Sequence, residues 1–458
     1  MSANTAGLRA AVVGAGPSGF YATDQLLDAG FAVDLIDALP TPFGLVRAGV
    51  APDHPKIKSV IRVYEKTAAK PGFRFFGGVE LGSEVTRAEL LERYHAVIYA
   101  IGTADDNRLG IPGEDRPGSY PATRFVAWYN GHPDASDDRF DLSARRAVVI
   151  GNGNVAIDVA RMLVLDPSEL APTDTADHAL AALAAAEVEE VVLLGRRGPA
   201  QAAFTNPELR ELAELSRAEV HVEAADLELD EHSARWLEEE ADATTKRNVE
   251  LLSEFARREP EGKSHRISLR FLRSPVEVLG DGDHGAVGAL RVVRNRIEPD
   301  PRGGLRAVAT EQFEEIECGL VLRSIGYRGR PVADLPYDER RGVIRNAGGR
   351  VCDEDARPHR GEYAVGWIKR GPSGVIGTNK KDAADTVARI LEDSQAGALN
   401  EPALHAGDWI HARAPSAVRW GGWRAIDAHE RRAGEPQGRP RVKLVRRSEL
   451  LAASAGAG

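Results

Sequence analysis

The sequence predicts an α/β protein made of two Rossmann-like, three-layer βα nucleotide-binding domains, the second inserted into the first. Three observations carry this reading. Gly14-Ala15-Gly16-Pro17-Ser18-Gly19 and Gly151-Asn152-Gly153-Asn154-Val155-Ala156 share one glycine spacing. Each follows a short apolar run and precedes a helical pattern. Two further apolar runs, residues 94–101 and 320–325, close on Gly102 and Gly326 and mark where the chain crosses between domains.

A lone G-x-G-x-x-G is weak evidence, since ordinary loops contain it, so the flanks decide. Residues 8–13 read as a strand and 20–29 as a helix. The first Gly permits the tight turn, the second lets backbone approach a pyrophosphate, and the third lets helix pack closely on strand. The helix N-terminus offers free N–H groups and partial positive charge to phosphates. A second strand, residues 32–36, ends at Asp37, whose carboxylate can accept hydrogen bonds from a ribose. An unliganded glycine turn is the competing reading, and the strand and the acid weigh against it.

The second fingerprint differs at one telling place. Residues 146–150 form its strand, 155–165 its helix, and Ala156 is the small third residue. The next strand, 188–194, ends in Gly195-Arg196-Arg197 where an acid would otherwise stand. A carboxylate there repels a 2'-phosphate, whereas guanidiniums bind it through charge-assisted hydrogen bonds. NADP is therefore expected rather than NAD, against the plainer reading of a solvated basic turn.

Of the 458 residues, 43% are hydrophobic and 28% charged, which suits a soluble globular chain. A formal charge of -10 argues against nucleic-acid binding. No apolar run approaches the roughly 20 residues needed to span a bilayer, and residues 1–9 lack the pattern of a signal peptide. A cytoplasmic location, no membrane insertion and a monomer are expected. The two cysteines, Cys318 and Cys352, form no C-x-x-C pair, so neither a dithiol nor a metal or iron-sulfur site is expected within the chain.

The crossovers divide the chain into residues 1–103 plus 328–458 and an inserted 104–327. Within the insert, 166–187 reads as a surface excursion, and 233–258 is long, charged and of helical composition. Residues 271–278 and 289–294 read as strands of a small sheet, joined around Gly280-Asp281-Gly282-Asp283. A helix is expected over 381–393, entered through Gly371-Pro372-Ser373-Gly374.

These residues resemble the adrenodoxin reductase-like ferredoxin-NADP reductases of mitochondria and actinobacteria, over nearly the whole chain. Besides both fingerprints, the resemblance rests on Pro42-Phe43-Gly44-Leu45-Val46-Arg47, Gly49-Val50-Ala51-Pro52-Asp53-His54-Pro55 and Gly195-Arg196-Arg197-Gly198-Pro199. It continues through Gly366-Trp367-Ile368-Lys369-Arg370-Gly371-Pro372-Ser373-Gly374-Val375-Ile376 and Gly422-Trp423-Arg424-Ala425-Ile426-Asp427. The resemblance makes the first nucleotide FAD, so that 1–103 plus 328–458 is the FAD domain and 104–327 the NADP domain. FAD would be held by Gly14, Ala15, Gly16, Pro17, Asp37, Leu45, Val85, Trp367, Gly374, Val375 and Ile376. The family usually has Glu at the position of Asp37. NADP(H) would be held by Asn152, Gly153, Asn154, Val155, Arg196, Arg197 and Glu208, with Gly374 towards the nicotinamide. Whether Asn107 or Arg108 meets NADP stays open. His54 and Glu211 match a pair that the family places near the flavin, there to tune potential and proton delivery.

The activity so implied is hydride transfer from NADPH to FAD, then single electrons to a small acidic ferredoxin-type iron-sulfur protein. Arg257, Arg258, Lys263, Arg266, Arg270 and Arg273, set against Glu259 and Glu261, form a candidate docking patch. The alternatives are another NADPH-dependent flavin oxidoreductase or monooxygenase, a disulfide reductase disfavoured by the missing dithiol, and a noncatalytic NADP-binding subunit.

Overall fold

The computed structural model describes Thr5 and residues 7–280, 282, 285–301, 303–374 and 376–457. It divides into two compact units, Met1–Asn107 with Gly326–Gly458, and Arg108–Ile325.

The first unit opens with β1 (Arg9–Val13), α1 (Pro17–Asp28), β2 (Ala32–Asp37), α2 (Leu45–Ala48), α3 (Pro55–Lys58), α4 (Ile61–Ala68), β3 (Phe73–Gly77) and β4 (Ala96–Tyr99). Among the described residues seven strands form its main sheet, in the order Asn346–Ala347, Arg350–Cys352, Pro358–Ala364, β4, β1, β2, β3. The last five run parallel and the first two add an antiparallel edge. Period-two alternation sends Ala10, Val12 and Leu35 into one apolar layer and Ala11, Val13 and Ile36 into the other. That is why β1 reads as continuously apolar: it is covered on both faces.

Pro17 starts α1 at a position where its missing N–H costs nothing. Phe20, Thr23 and Leu27 follow at helical spacing and are buried. Phe20 stacks on Tyr64 of α4, ring centroids 4.8 Å apart. A buried ionic cluster fixes α2: Glu430 of helix Trp420–Gly434 accepts from both Arg47 guanidinium nitrogens at 2.8 and 2.5 Å and from Arg441 at 3.1 Å. Burial acts to raise the Glu430 carboxyl, but Arg47 and Arg441 outweigh it and hold it below the usual range.

The second unit carries a parallel six-stranded sheet, ordered Ser119–Pro121, Leu320–Arg323, Arg146–Ile150, Glu190–Leu194, His265–Arg270, Ala218–Val222. A separate antiparallel sheet joins Arg273–Gly280, Val287–Pro299 and Leu305–Glu317. It is longer than the small sheet read from sequence and has a third strand. Asp281 and Asp283 of its expected turn, like Val375, lie outside the described residues.

One reading is corrected. The stretch 166–187 is not a surface excursion: it holds helices Pro167–Leu170 and Asp177–Ala184, with Leu170, Thr175, Ala179 and Leu183 buried. Leu170, Ala179 and Leu183 join the main core, and Thr173 Oγ1 lies 2.7 Å from Thr175 Oγ1, satisfying hydroxyls the apolar packing encloses. The stretch 233–258 is helical, and it divides into Glu231–Glu239 and Ala243–Ala256. Asp242 breaks it by capping the second, its side chain accepting the Thr245 N–H at 2.8 Å. The helix expected over 381–393 runs longer, Ile376–Gln395.

Candidate functional site

In the first unit the chain leaving β1 and the chain leaving β4 meet at a switch point in strand order, where open α/β sheets bind ligands. Gly14 has φ +109°, and a Cβ there would fall 2.4 Å from the Ala100 carbonyl oxygen. At Gly19 it would fall 1.9 Å from the Gly14 oxygen, so the third glycine is what lets α1 sit against the turn. Gly16 is different, because a Cβ there meets nothing within 4 Å. It caps α1 without a side-chain hydrogen bond. The first turn of α1 therefore faces open space with its N–H groups, a cradle that fits a pyrophosphate.

Asp37 closes this turn from the end of β2. Its carboxylate oxygens accept the Ala15 N–H at 2.6 Å and the Leu39 N–H at 2.8 Å. Burial pushes its carboxyl up to about 6, opposed by those two N–H groups and by Arg447. Leu45, at the start of α2, is 42% exposed. It follows Gly44, where a Cβ would lie 3.0 Å from Gly16 Cα, so residues 44–45 border the glycine turn.

The segment from Gly366 reaches the same place. Gly366 has φ +77°, and a Cβ there would lie 2.1 Å from Ser18 Oγ on α1. Trp367 follows at the start of helix Trp367–Arg370, its ring centroid 5.5 Å from that of Tyr327. Its indole Nε1 is buried and has no acceptor among the described residues. An N–H orphaned beside an open glycine turn suits a bound ligand carrying an acceptor. Gly374 is exposed with φ +80°, and Ile376 begins the helix after it.

Val85 and His54 lie in the same unit. Val85 is fully buried in the core, its N–H donating to Glu80 O and its C=O accepting from Gly82. His54 is the N-cap of α3, its carbonyl accepting the Lys58 N–H at 3.4 Å.

The second unit repeats the backbone pattern. Gly151 has φ +135°, and a Cβ there would fall 2.1 Å from the Ser324 oxygen, while Gly153 has nothing within 4 Å. Gly153 caps helix Asn154–Val164 without a side-chain bond. Residues 195–208 fold back onto this turn: Ala203 N–H donates to Asn152 O at 3.0 Å, and Thr205 N–H to Asn154 Oδ1 at 2.8 Å. A Cβ on Gly195 would fall 2.7 Å from Asn152 Nδ2, and beyond it the Arg196 and Arg197 carbonyls accept from Asn295 and Leu272. Glu208 accepts the Thr205 hydroxyl.

Neither the Arg196 nor the Arg197 guanidinium has a hydrogen-bonding or acidic partner among the described residues. Burial, then the charge of Arg196, holds Arg197 below its usual pKa. Two adjacent cations, one of them half-buried, have the charge and donors that suit a phosphate. Glu211 pairs with buried Arg161 of the helix behind the turn. Arg108 is committed to Asp115, and Asn107 N–H donates to Gly326 O at 3.1 Å.

The link from Asn154 to Thr205 and the packing of Gly366 on Ser18 escaped the sequence reading, because each joins residues far apart in the chain. Cys318 and Cys352 are buried free thiols in separate units. Burial pushes the Cys318 thiol up to about 12, which leaves it inert. No group of three or more metal-ligating side chains occurs among the described residues.

The basic segment 257–273 is also corrected. Lys263 pairs with Glu261, Arg266 with Glu219, and Arg270 and Arg273 with Asp226 and Glu314. Residues 265–270 are a strand with Ile267, Ser268 and Leu269 buried. These four cations are thus paired with acids, while exposed Arg257 donates to Ser253 O and exposed Arg258 lies over the Phe255 ring.

The model of the pyridine nucleotide-disulphide oxidoreductase family matches residues 8–254. The NADPH-ferredoxin reductase FprA of Mycobacterium tuberculosis is 50% identical over 458 aligned residues, covering 96% of this chain and 98% of that protein. The mitochondrial NADPH:adrenodoxin oxidoreductase of Arabidopsis thaliana is 41% identical, covering 99% and 97%. A solved structure of Mycobacterium tuberculosis FprA in complex with NADPH superposes with a TM-score of 0.91 at 48% identity, covering 98% of this chain and all of that one. The chain belongs to the pyridine nucleotide-disulphide oxidoreductase family, among its adrenodoxin reductase-like NADPH-ferredoxin reductases.

Proposed function

We propose that the protein is an NADPH-dependent ferredoxin reductase, binding FAD in the first unit and NADP(H) in the second and passing electrons to a small acidic iron-sulfur protein. One observation carries the reading: two open glycine turns of the same build, one closed by the carboxylate of Asp37 and the other flanked by the unpartnered pair Arg196 and Arg197. FAD, when bound, supplies a ring that accepts a hydride and gives up electrons singly.

The chain's own residues bind and orient. N–H groups at the start of α1 would hold the FAD pyrophosphate and Asp37 the adenosine ribose, with Trp367 donating its indole N–H. The start of helix Ile376–Gln395, after Gly374, favours negative charge beside it. Asn152–Val155 would take the NADP pyrophosphate, Arg196 and Arg197 the 2'-phosphate, and Glu208 a ribose hydroxyl. His54 and Glu211 are positioning residues in this reading, and a His54→Ala protein with parent flavin potential and turnover would remove His54 from it.

We also place the protein in the cytoplasm as a monomer. Its buried free thiols suit a reducing compartment, and no helix among the described residues is long and apolar enough to cross a membrane. The test is anaerobic mixing of the NADPH-reduced holoprotein with an acidic [2Fe-2S] ferredoxin, reading flavin and cluster absorbance together. Reoxidation of the flavin in step with cluster reduction is expected. A flavin that NADPH reduces but that no ferredoxin reoxidises would overturn the reading.

A further inference from the structure

Lys263, Arg266, Arg270 and Arg273 of the basic segment are paired with acids, and a second group of cations lies on α3 and α4. Lys56 of α3 and Arg62 and Lys66 of α4 are exposed, and none has an acidic partner among the described residues. Arg62 and Lys66 stand one helical turn apart on one face, and Val63 lies beside them. Ile57 and Val63 are 41% and 46% exposed, two of the large apolar side chains that the described chain leaves in solvent. Glu65, the exposed acid of α4, stands three residues from Arg62 and borders that face opposite Val63, with no ion pair to Arg62 among the described residues. Lys70, just beyond, is taken up by Asp24 and Asp28.

The face is rigid. Tyr64 stacks on Phe20, and Thr67 Oγ1 donates to Asp24 Oδ1 at 2.8 Å, which clamps α4 onto α1, the helix that leaves the glycine turn. α3 begins immediately after His54, and Leu45 of the turn's border is exposed as well. Apolar side chains ringed by unpaired cations are what a small, transient electron-transfer interface uses: charge steers the encounter and a few apolar contacts seat it.

We infer that the exposed face of α3 and α4, formed by Lys56, Ile57, Arg62, Val63 and Lys66, is the docking surface for the acidic iron-sulfur partner. This rests on the proposed ferredoxin reductase activity, and the test separates the two. Holoprotein carrying Arg62→Glu and Lys66→Glu is compared with parent and with Arg266→Glu, which alters a cation already paired with Glu219. An acidic [2Fe-2S] ferredoxin and ferricyanide serve as alternative acceptors across a range of salt.

At low salt the double variant should lose about tenfold or more in kcat/KM for ferredoxin, and its salt dependence should flatten. Its turnover with ferricyanide should stay at the parent level, and Arg266→Glu should match the parent with both acceptors. A double variant that reduces ferredoxin like the parent overturns the docking surface alone. So does vesicle binding lost in the double variant with ferredoxin turnover intact, which would make this face a site for anionic lipid. A parent that never reduces ferredoxin overturns the activity on which the inference rests.

Discussion

The two glycine turns are nearly the same object built twice. In each, the first glycine takes positive φ and presses against a carbonyl of the neighbouring strand's exit, Ala100 in one unit and Ser324 in the other. Each second glycine caps a helix with open space at its side. They part at the end of the following strand. The first unit folds a carboxylate back onto the turn, so its own N–H groups occupy Asp37. The second leaves two guanidiniums with nothing to hold. The two turns thus share a backbone that suits a dinucleotide, and in the proposed reading the side chains after the second strand distinguish which one.

A methyl group added to each turn tests whether the two turns serve separate nucleotides. Gly14→Ala and Gly151→Ala would each place Cβ within 2.4 Å of a backbone oxygen, at a φ that L residues rarely adopt. Each should cost roughly 3 kcal/mol or more in its own unit. Gly14→Ala should purify without bound flavin. Gly151→Ala should stay yellow and lose NADPH binding, as absorbance and a binding titration will show. If both lose flavin, the turns do not serve separate nucleotides.

Asp37 supplies a pH test that the second turn, with arginines at that place, lacks. Because its folded value of about 6 lies above the ordinary carboxyl value, folding favours the protonated acid. That contribution is whole below the ordinary value and is lost as pH rises through about 6. In ligand-free protein the difference amounts to up to about 3 kcal/mol. The melting temperature of the parent should fall between pH 4 and 6.5 more steeply than that of Asp37→Asn, and equal slopes would remove Asp37 as the cause.

Arg197→Ala should leave flavin content alone and cut the preference for NADPH over NADH. Loss of a charge-assisted hydrogen bond to a phosphate is worth about 2 kcal/mol, or roughly 30-fold in the ratio of kcat/KM values. A preference unchanged in both Arg196→Ala and Arg197→Ala would make the pair a basic turn and return the second turn to an unspecified nucleotide.

These sites were legible because their signals are local. Glycine spacing, the strand before it, and the residue ending the next strand all lie within a few dozen positions, and the strand, turn and helix follow in that order in both units. What escaped was set by distant partners. Residues 265–270 read as charge, yet His265–Arg270 is an interior strand whose Arg266 and Arg270 find Glu219 and Asp226 far away in sequence. The burial of Thr173 and Thr175 rests on hydrogen bonding between hydroxyls, which leaves no apolar period. Glu430 reaches Arg47 across 383 positions, so nothing near α2 reveals what holds it.

The smallest expected effect carries an unusual sign. Trp367 Nε1 is the first unit's counterpart to the unpartnered guanidiniums of the second: a buried donor with no acceptor among the described residues. Such a donor costs free energy in the ligand-free protein, and Phe keeps an aromatic ring while removing it. Trp367→Phe should therefore be neutral or stabilising without flavin. With flavin bound it should lose about 1 kcal/mol, one hydrogen bond. The melting temperature measured with and without FAD should then shift in opposite directions relative to the parent. A variant less stable in both states would mean that the indole acts by packing against Tyr327, and the orphaned N–H would no longer mark the flavin site.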